Sequence, residues 1–560
     1  MQLNWWDRSS KAEKDNRVGK KSNRVIVHQN FRRVLVCLFF LLLTSGAAQW
    51  LNLAPHSATA GGITYYVDVN GNDANNGSQA NPWKTIGHAI DAVVAGDTVL
   101  INPGTYLVPQ QISITTSGTA SDPITFEGNG AGVVVDLRAY DGRNGLEIYF
   151  ADYIVIDNLT VYASLDPNSR GIRLTHAEGC IISNNIVSGA NHANLFCSLS
   201  DRVTFLNNEA FNGAIGIYVA DSSDYPTIKG NRLHNNTAIG LHMNGDINSG
   251  GDGTISYAMV DSNRVYNNGA TGINLDGVTW STFQNNLVYG NKFRGIAFFK
   301  GDGAVPSNDN EAYQNTIITP AGAYYGIGLN YGANRNSFWN NIILTEGSVP
   351  SFSSTSSTSE LEITSNYNLL PDQGPVAETS NGGFVFSEWQ SLGYDTQSVT
   401  GTLSQTFQDP AGNNYKLLAG SPAIDAGTPT HSCTPDIVGN IRPSGTAPDL
   451  GAYEYDSATV IYISPDGLCG SHTPCYSRIQ DGFDWEGGAT YTIKVQQGTY
   501  NENLALSSDK RIDLDAGWDE TFTTRTSTSS IKSLQILEGA VTGRNLVIQA
   551  DSAKVATTAE

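Results

Sequence analysis

The sequence predicts an all-β protein whose main body is a parallel β-helix, a solenoid of stacked strands. Three observations point there. An asparagine recurs every 23 to 32 residues, at Asn158, Asn185, Asn208, Asn231, Asn263, Asn286, Asn315 and Asn341, with Asn366 a looser match. The residue three before each is apolar throughout, from Val155, Ile182 and Phe205 to Phe338 and Ile363. About ten residues after most of these asparagines comes a second short strand of the form Gly-Ile-x-Leu, beginning at Gly171, Gly216, Gly240, Gly272, Gly295 and Gly326.

A period of this length with alternating apolar positions marks a repeat whose single coil cannot bury its apolar row, whereas stacked coils can. Stacked asparagines at a turn bond their amides along the stack. A leucine-rich repeat would need a Leu-dominated consensus with a helical limb, and these coils mix Ile, Val, Phe and Tyr. The longest spacings fall between Asn231 and Asn263 and between Asn286 and Asn315, so extra residues there bulge as loops.

The ends need covers. Thr64–Val69 reads as a strand, followed by a polar turn. Asn81-Pro82 then offers an N-cap and a first-turn proline. Ile86, Ala89, Ile90 and Val93 lie at helical spacing, which predicts an amphipathic helix capping the solenoid. The block closes at Pro103–Tyr106 (PGTY), and the plan returns from Tyr462 to the QQGTY that ends at Tyr500. A second short β-helix-like segment is therefore expected, complete or truncated. Cys469 and Cys475, closing a short loop within it, are expected to pair in an oxidising compartment. Cys180 and Cys197 fall on inward positions, as buried thiols or a bridge.

Composition bounds the partners. The chain has 560 residues and a net charge of −21, with 9 of its 32 basic residues among the first 60. The remainder holds 23 basic against 50 acidic residues, which argues against nucleic acid. Residues 1–33 are polar and basic, and Val34–Leu43 is an unbroken apolar run followed by small residues. That pattern reads as an export signal. If uncleaved, Val34–Ala54 is long enough to remain as a membrane anchor. The expected location is secreted or cell-surface, as a monomer. The expected organisation is a signal peptide or anchor at 1–60, the β-helix with its N-terminal cap at 61–370, a small β-rich module at 371–457 and the second β-helix start at 458–560.

The Asn-ladder coils with Gly-Ile-x-Leu strands resemble the right-handed parallel β-helix proteins of the pectate-lyase-like superfamily, over roughly residues 61–370. The segments SPAIDAG (Ser421–Gly427), DIVGNIRP (Asp436–Pro443) and PDLGAYEY (Pro448–Tyr455) resemble the choice-of-anchor segment that follows β-helices in surface proteins.

Candidate chemistry lies on the outward positions of the Gly-Ile-x-Leu strands. One column stacks Arg173, Tyr218, His242, Asn274 and Ala297; the next stacks Thr175, Ala220, Asn244, Asp276 and Phe299. The two inserted loops add Asp246, Asp252, Lys300 and Asp302. Asp246, Asp252, Asp276 and Asp302 offer hard oxygen ligands for Ca²⁺. A bound Ca²⁺ neutralises a uronate carboxylate, and Lys300 or His242 then removes the adjacent C5 proton, giving β-elimination. Arg173, Tyr218, Asn244, Asn274 and Trp280 are the candidate substrate-binding residues. The resemblance implies the same Ca²⁺-dependent chemistry with a Lys or Arg base, as a lyase or epimerase on uronate-containing extracellular polysaccharide. The sequence lacks the aspartate pairs and Gly-His-Gly segment of β-helix galacturonases. The alternative is a non-catalytic glycan-binding or adhesin-like surface protein. The Asp residues beside Gly are also ordinary turn formers.

Overall fold

The computed structural model describes residues 61–455, 459–470, 472–486 and 490–549. The expected export segment lies outside these residues. No described helix is long and apolar enough to cross a membrane.

The body is an all-β parallel β-helix with three sheets, each of 12 strands. Through the repeat each coil contributes one strand to each sheet, and an antiparallel strand, Gly382–Phe384, ends the third. In one coil, Ile154–Asp157 lies in the first sheet, Thr160–Tyr162 in the second and Arg170–Thr175 in the third, before Ile181–Ser183 returns to the first. Pairing is parallel from coil to coil, as in Ile182↔Phe205 and Phe205↔Ile228. The three sheets enclose one apolar core running from Val67 to Trp389 and including Phe205, Phe283 and Phe338. The second sheet extends to Val399–Gly401, so stacking continues past the Ser/Thr-rich stretch at 351–360.

Buried asparagines fasten the first turn. Asn208 Nδ2 donates to Asn231 Oδ1 at 3.1 Å, Asn231 to Asn263 at 3.0 Å and Asn263 to Asn286 at 2.9 Å. Each also donates to a backbone carbonyl of the preceding coil, as Asn231 does to Phe205 at 2.9 Å. At the ladder's ends the asparagine position differs from the repeat expectation. Leu159 rather than Asn158 aligns with Asn185, and Asn368 rather than Asn366 receives Asn341. Asn158 instead takes the left-handed corner beside the ladder, at φ 56°. A second ladder, Asn236–Asn268–Asn291, fastens the second turn.

The Gly-Ile-x-Leu glycines answer to close approach. A Cβ on Gly240 would lie 2.3 Å from Val265 Cγ1 and 2.8 Å from the Gly272 carbonyl. Any side chain there would push the third sheet off the second.

The cap helix spans Ile86–Ala92 and buries Ile86, Ala89 and Ile90. Its N-cap is Thr85, not Asn81. Trp83 is held in an extended bridge to Val67, which keeps Pro82 and Trp83 outside the helix.

Residues 407–455 pack on the outer side of the second sheet, covering Leu287, Ile318, Ile342 and Leu369 with Phe407, Tyr415, Leu450 and Ala452. The fully buried Arg442 fastens this segment, donating to Glu454 at 3.0 Å and to Asn285 of the β-helix at 2.9 Å. Residues 459–549 form a further parallel β module with its own core, built on Ile461, Ile493, Leu514 and Phe483. A short helix at Ile479–Phe483 and the Cys469–Cys475 disulfide sit at its start. Cys180 and Cys197 are buried free thiols.

Candidate functional site

The outward face of the third sheet carries the unusual chemistry. Its register aligns Glu147, Arg173, Phe196, Tyr218, His242, Asn274 and Ala297 in one column. The expected column is thus present, with Phe196 interposed between Arg173 and Tyr218. That coil reads Ala193–Ser198 (ANLFCS) and lacks the glycine that marks the others. The neighbouring column runs Thr175, Ser198, Ala220, Asn244, Asp276 and Phe299.

Unlike a solvated sheet face, much of this surface is buried. Ala193, Phe196 and Ala220, with Ile215 and Tyr218 against them, form a small apolar cluster outside the main core. His242 is 2% exposed, and Asn244 and Asn274 are buried. Three rings stack along the coils: His192 to Tyr218 at 5.5 Å and Tyr218 to His242 at 4.6 Å. His242 Nδ1 lies 3.1 Å from the Asn274 carbonyl and 3.2 Å from its amide nitrogen, so the ring's tautomer selects one of the two. Burial lowers His242 to about 4 and, helped by Arg170, lowers His192 to about 3, so both imidazoles are neutral at pH 7. Burial raises the Tyr218 phenol, whose oxygen accepts from Asn244 Nδ2 at 3.2 Å.

Five of the eight buried side-chain polar atoms that lack a hydrogen-bond partner among the described residues fall here: Arg170 Nε, Arg173 Nε, Thr175 Oγ1, His192 Nδ1 and Asn244 Oδ1. Each such atom costs a fold roughly 1–3 kcal/mol, and a concentration on one face signals a site shaped for something polar. The two arginines differ. Arg173 pairs with Glu147, which also accepts the Gln111 amide. Arg170 makes no ion pair among the described residues. Its guanidinium lies 4.5 Å from the Phe196 ring, and Nη1 reaches Asn144 Oδ1 at 3.4 Å. Burial lowers both arginines, yet a guanidinium stays charged. Asp221, raised by burial, accepts from Ser198 Oγ at 2.6 Å beside them. A cavity of about 780 Å³ between the cap helix and the first coil includes Gln111 and Ser113, next to Glu147 at the same end of this sheet.

The two inserted loops, residues 245–255 and 300–309, meet each other. Ile247 N donates to the Asp302 carbonyl at 3.2 Å, and Ala304 N to the Gly253 carbonyl at 2.8 Å. Their acidic side chains are committed to holding backbone. Asp276 is fully buried and accepts the N–H groups of Gly301, Asp302 and Gly303 at 2.7, 2.7 and 3.2 Å. Asp246 takes Asn248 and Ser249, and the exposed Asp252 takes Thr254. Asp302 is exposed. No group of three or more His, Cys, Asp or Glu among the described residues is arranged to hold a metal ion. The expected Ca²⁺ cage is therefore not assembled among the described residues: Asp276 already accepts three loop amides, and Asp246 and Asp252 accept from groups of their own turns. Lys300 is exposed and donates to the Ala304 carbonyl at 3.0 Å within its own loop. Trp280 sits on the third turn, not on the arginine face, and is 60% exposed.

Sequence reasoning missed Arg170, His192, Asp221 and Glu147. Glu147 was within reach, because it pairs with the outward Arg173 in the neighbouring coil; Arg170 stands three residues before Arg173, so strict alternation assigns it to the opposite face. His192 lies in a turn, and nothing in the repeat marks it.

Residues 65–214 match the family model described as "Pel9A-like, right handed beta helix region". The chain is 25% identical over 459 residues to pectate lyase L of Dickeya dadantii (strain 3937), covering 70% of this chain and 90% of that protein. It is 28% identical over 190 residues to pectate lyase PEL9 of Emericella nidulans, covering 32% of this chain and 35% of that one. Among solved structures it is similar to pectate lyase Pel9A, at 21% identity and a TM-score of 0.43, covering 71% of this chain and 97% of the other.

Proposed function

We propose that this protein acts on an acidic extracellular polysaccharide laid across the outer face of the third sheet, with Arg170 and Arg173 gripping a uronate carboxylate. The observation that carries this reading is Arg170: a desolvated guanidinium without an ion-pair partner among the described residues, beside a second arginine whose Nε is also unmet among them. A carboxylate laid beside the two guanidinium groups would supply the missing countercharge. Similarity to pectate lyases supports the substrate class. The basic-then-apolar N-terminal segment and the Cys469–Cys475 disulfide support export.

One observation favours elimination over binding alone. Neutral His192 and His242 flank the Tyr218 phenol in a single stack beside the arginines. With the uronate carboxylate neutralised by guanidinium, the C5 proton becomes more acidic. A neutral imidazole can accept that proton, and the Tyr218 hydroxyl can donate one to the departing glycosidic oxygen. Lys300 is the competing base from the inserted loop. No step is assigned to Ca²⁺.

The test is binding and turnover on polygalacturonate, alginate and a neutral polymer, with added Ca²⁺ and with chelator. Unsaturated product is followed by its ultraviolet absorbance. Salt-sensitive binding to the acidic polymers alone is expected, with turnover lost in His242→Ala and Tyr218→Phe and kept in Lys300→Ala. Equal affinity for the neutral polymer refutes the carboxylate reading. Binding without unsaturated product under any condition leaves the non-catalytic glycan-binding protein.

A further inference from the structure

A second surface, on the third turn, bears a different signature. Backbone bonds link one residue per coil into a column: Arg202 N donates to the Asp224 carbonyl, Tyr225 N to that of Ser256 and Tyr257 N to that of Thr279. Each acceptor immediately precedes the next member, so the column reads Arg202, Tyr225, Tyr257, Trp280. The adjoining strands confirm the alignment, Thr227↔Met259↔Thr282.

All four residues stand in the left-handed region, at φ 56°, 57°, 60° and 52°. The corner demands that backbone, but it does not demand these side chains. A bulky residue at positive φ is an outlier that strains the fold. In other coils the same corner is taken by Tyr153, Gly179, Asp309 and Arg335, and the first turn takes Asn184, Asn207 and Asn285. Only at Tyr225, Tyr257 and Trp280, among the described residues, do three successive coils place large aromatics at this corner.

Those aromatics do not repay the strain by burial. Tyr225 is 46% exposed, Tyr257 52% and Trp280 60%. The two tyrosines stack on each other at 4.9 Å and 13°, and Arg202 closes one end, 5.4 Å from the Tyr225 ring. Trp280 begins the other end with no ring partner among the described residues. The result is an exposed aromatic strip about 10 Å long, at one inter-strand spacing per coil, on a backbone set by the ladder of coils.

We propose that Tyr225, Tyr257 and Trp280 form a second sugar-binding strip, which holds a flanking stretch of the polysaccharide through the apolar faces of its pyranose rings. This rests on the polysaccharide reading above, but it uses ring contact instead of charge. Aromatic side chains offer a flat apolar surface with a polar rim at little entropic cost. The strip lies at the far end of the third turn from Asn244, across the inserted loop at 245–255. A long chain can therefore occupy both surfaces, whereas a short oligomer fills only one.

The test compares the full-length protein with a triple variant, Tyr225→Asn, Tyr257→Asn and Trp280→Asn, in binding to long polygalacturonate and to a short oligogalacturonide. Asparagine tolerates the left-handed corner, so the variant is expected to keep or raise the melting temperature. Affinity for the long polymer is expected to fall about tenfold, with its salt dependence unchanged and short-oligomer affinity retained. Loss of the tryptophan fluorescence change on polymer binding in Trp280→Phe is the second readout. Unchanged polymer affinity in the triple variant, with loss in Arg170→Met, overturns the strip and leaves the arginine face standing. Absence of binding to every polysaccharide in the parent overturns both.

Discussion

Replacing Arg170 by methionine separates a functional arginine from a structural one. Methionine keeps a flexible apolar stem against the Phe196 ring, now 4.5 Å from the guanidinium, and removes the charge. In the free protein that charge has been taken out of water without an ion-pair partner among the described residues, and its Nε is unmet. Removing it is therefore expected to leave stability unchanged or to raise it by about 1 kcal/mol. The complex loses a charge-assisted hydrogen bond worth about 1.5–3 kcal/mol, so affinity for an acidic polymer should fall about ten- to a hundredfold. Arg173→Met should behave oppositely in the melt. It strands Glu147, whose side chain is 5% exposed, and should cost about 3 kcal/mol. The assay is a chemical melt beside isothermal titration with polygalacturonate. A clear loss of stability in Arg170→Met with binding intact would show that Arg170 is a packing residue, and the reasoning would fail.

Further outcomes follow from other parts of the structure. Asn231→Ala removes donors to Phe205 and Asn263 and the acceptor for Asn208, all buried. It should lower stability by about 2–4 kcal/mol in a urea melt, with little change for Asn366→Ala, which lies off the ladder. Acidification has a defined sign. Burial lowers His242 from the usual 6.5 to about 4, so the unfolded chain binds its proton first. Its contribution is fully present above pH 6.5 and is lost as pH falls toward 4. The loss is about 3 kcal/mol, measured by melts across that range and reduced in His242→Asn. Arg442→Ala leaves Glu454 buried without its partner and should release residues 407–455 from the second sheet, costing about 3–5 kcal/mol and raising protease sensitivity there.

The repeat was legible because stacking imposes the same demands on every coil. An amide must meet the next amide, an apolar residue must face inward, and a glycine must let the third sheet approach the second. Those demands act on single positions, so they leave a period. Legibility faded where a coil met them differently: Ala193–Ser198 lacks the glycine, and the ladder position falls one residue after Asn158 and two after Asn366. The helix start was misplaced because the bridge between Trp83 and Val67, a contact remote in sequence, overrides the local proline signal.

The site was less legible for a different reason. Outward columns follow from alternation, and Arg173, Tyr218, His242 and Asn274 duly align. Whether a carboxylate is free to hold an ion depends on which amides reach it. Asp276 looked like a ligand and proved to be the anchor of the 300–309 loop. Whether a cation is partnered is equally invisible in sequence, which is why Arg170 drew no notice.

The most direct measurement is a crystal structure of the protein with an acidic oligosaccharide bound. A uronate carboxylate within hydrogen-bond distance of Arg170 and Arg173, with its sugar ring beside Tyr218, is the expected result. Sugar seated elsewhere, with both guanidinium groups left to solvent, would contradict the account.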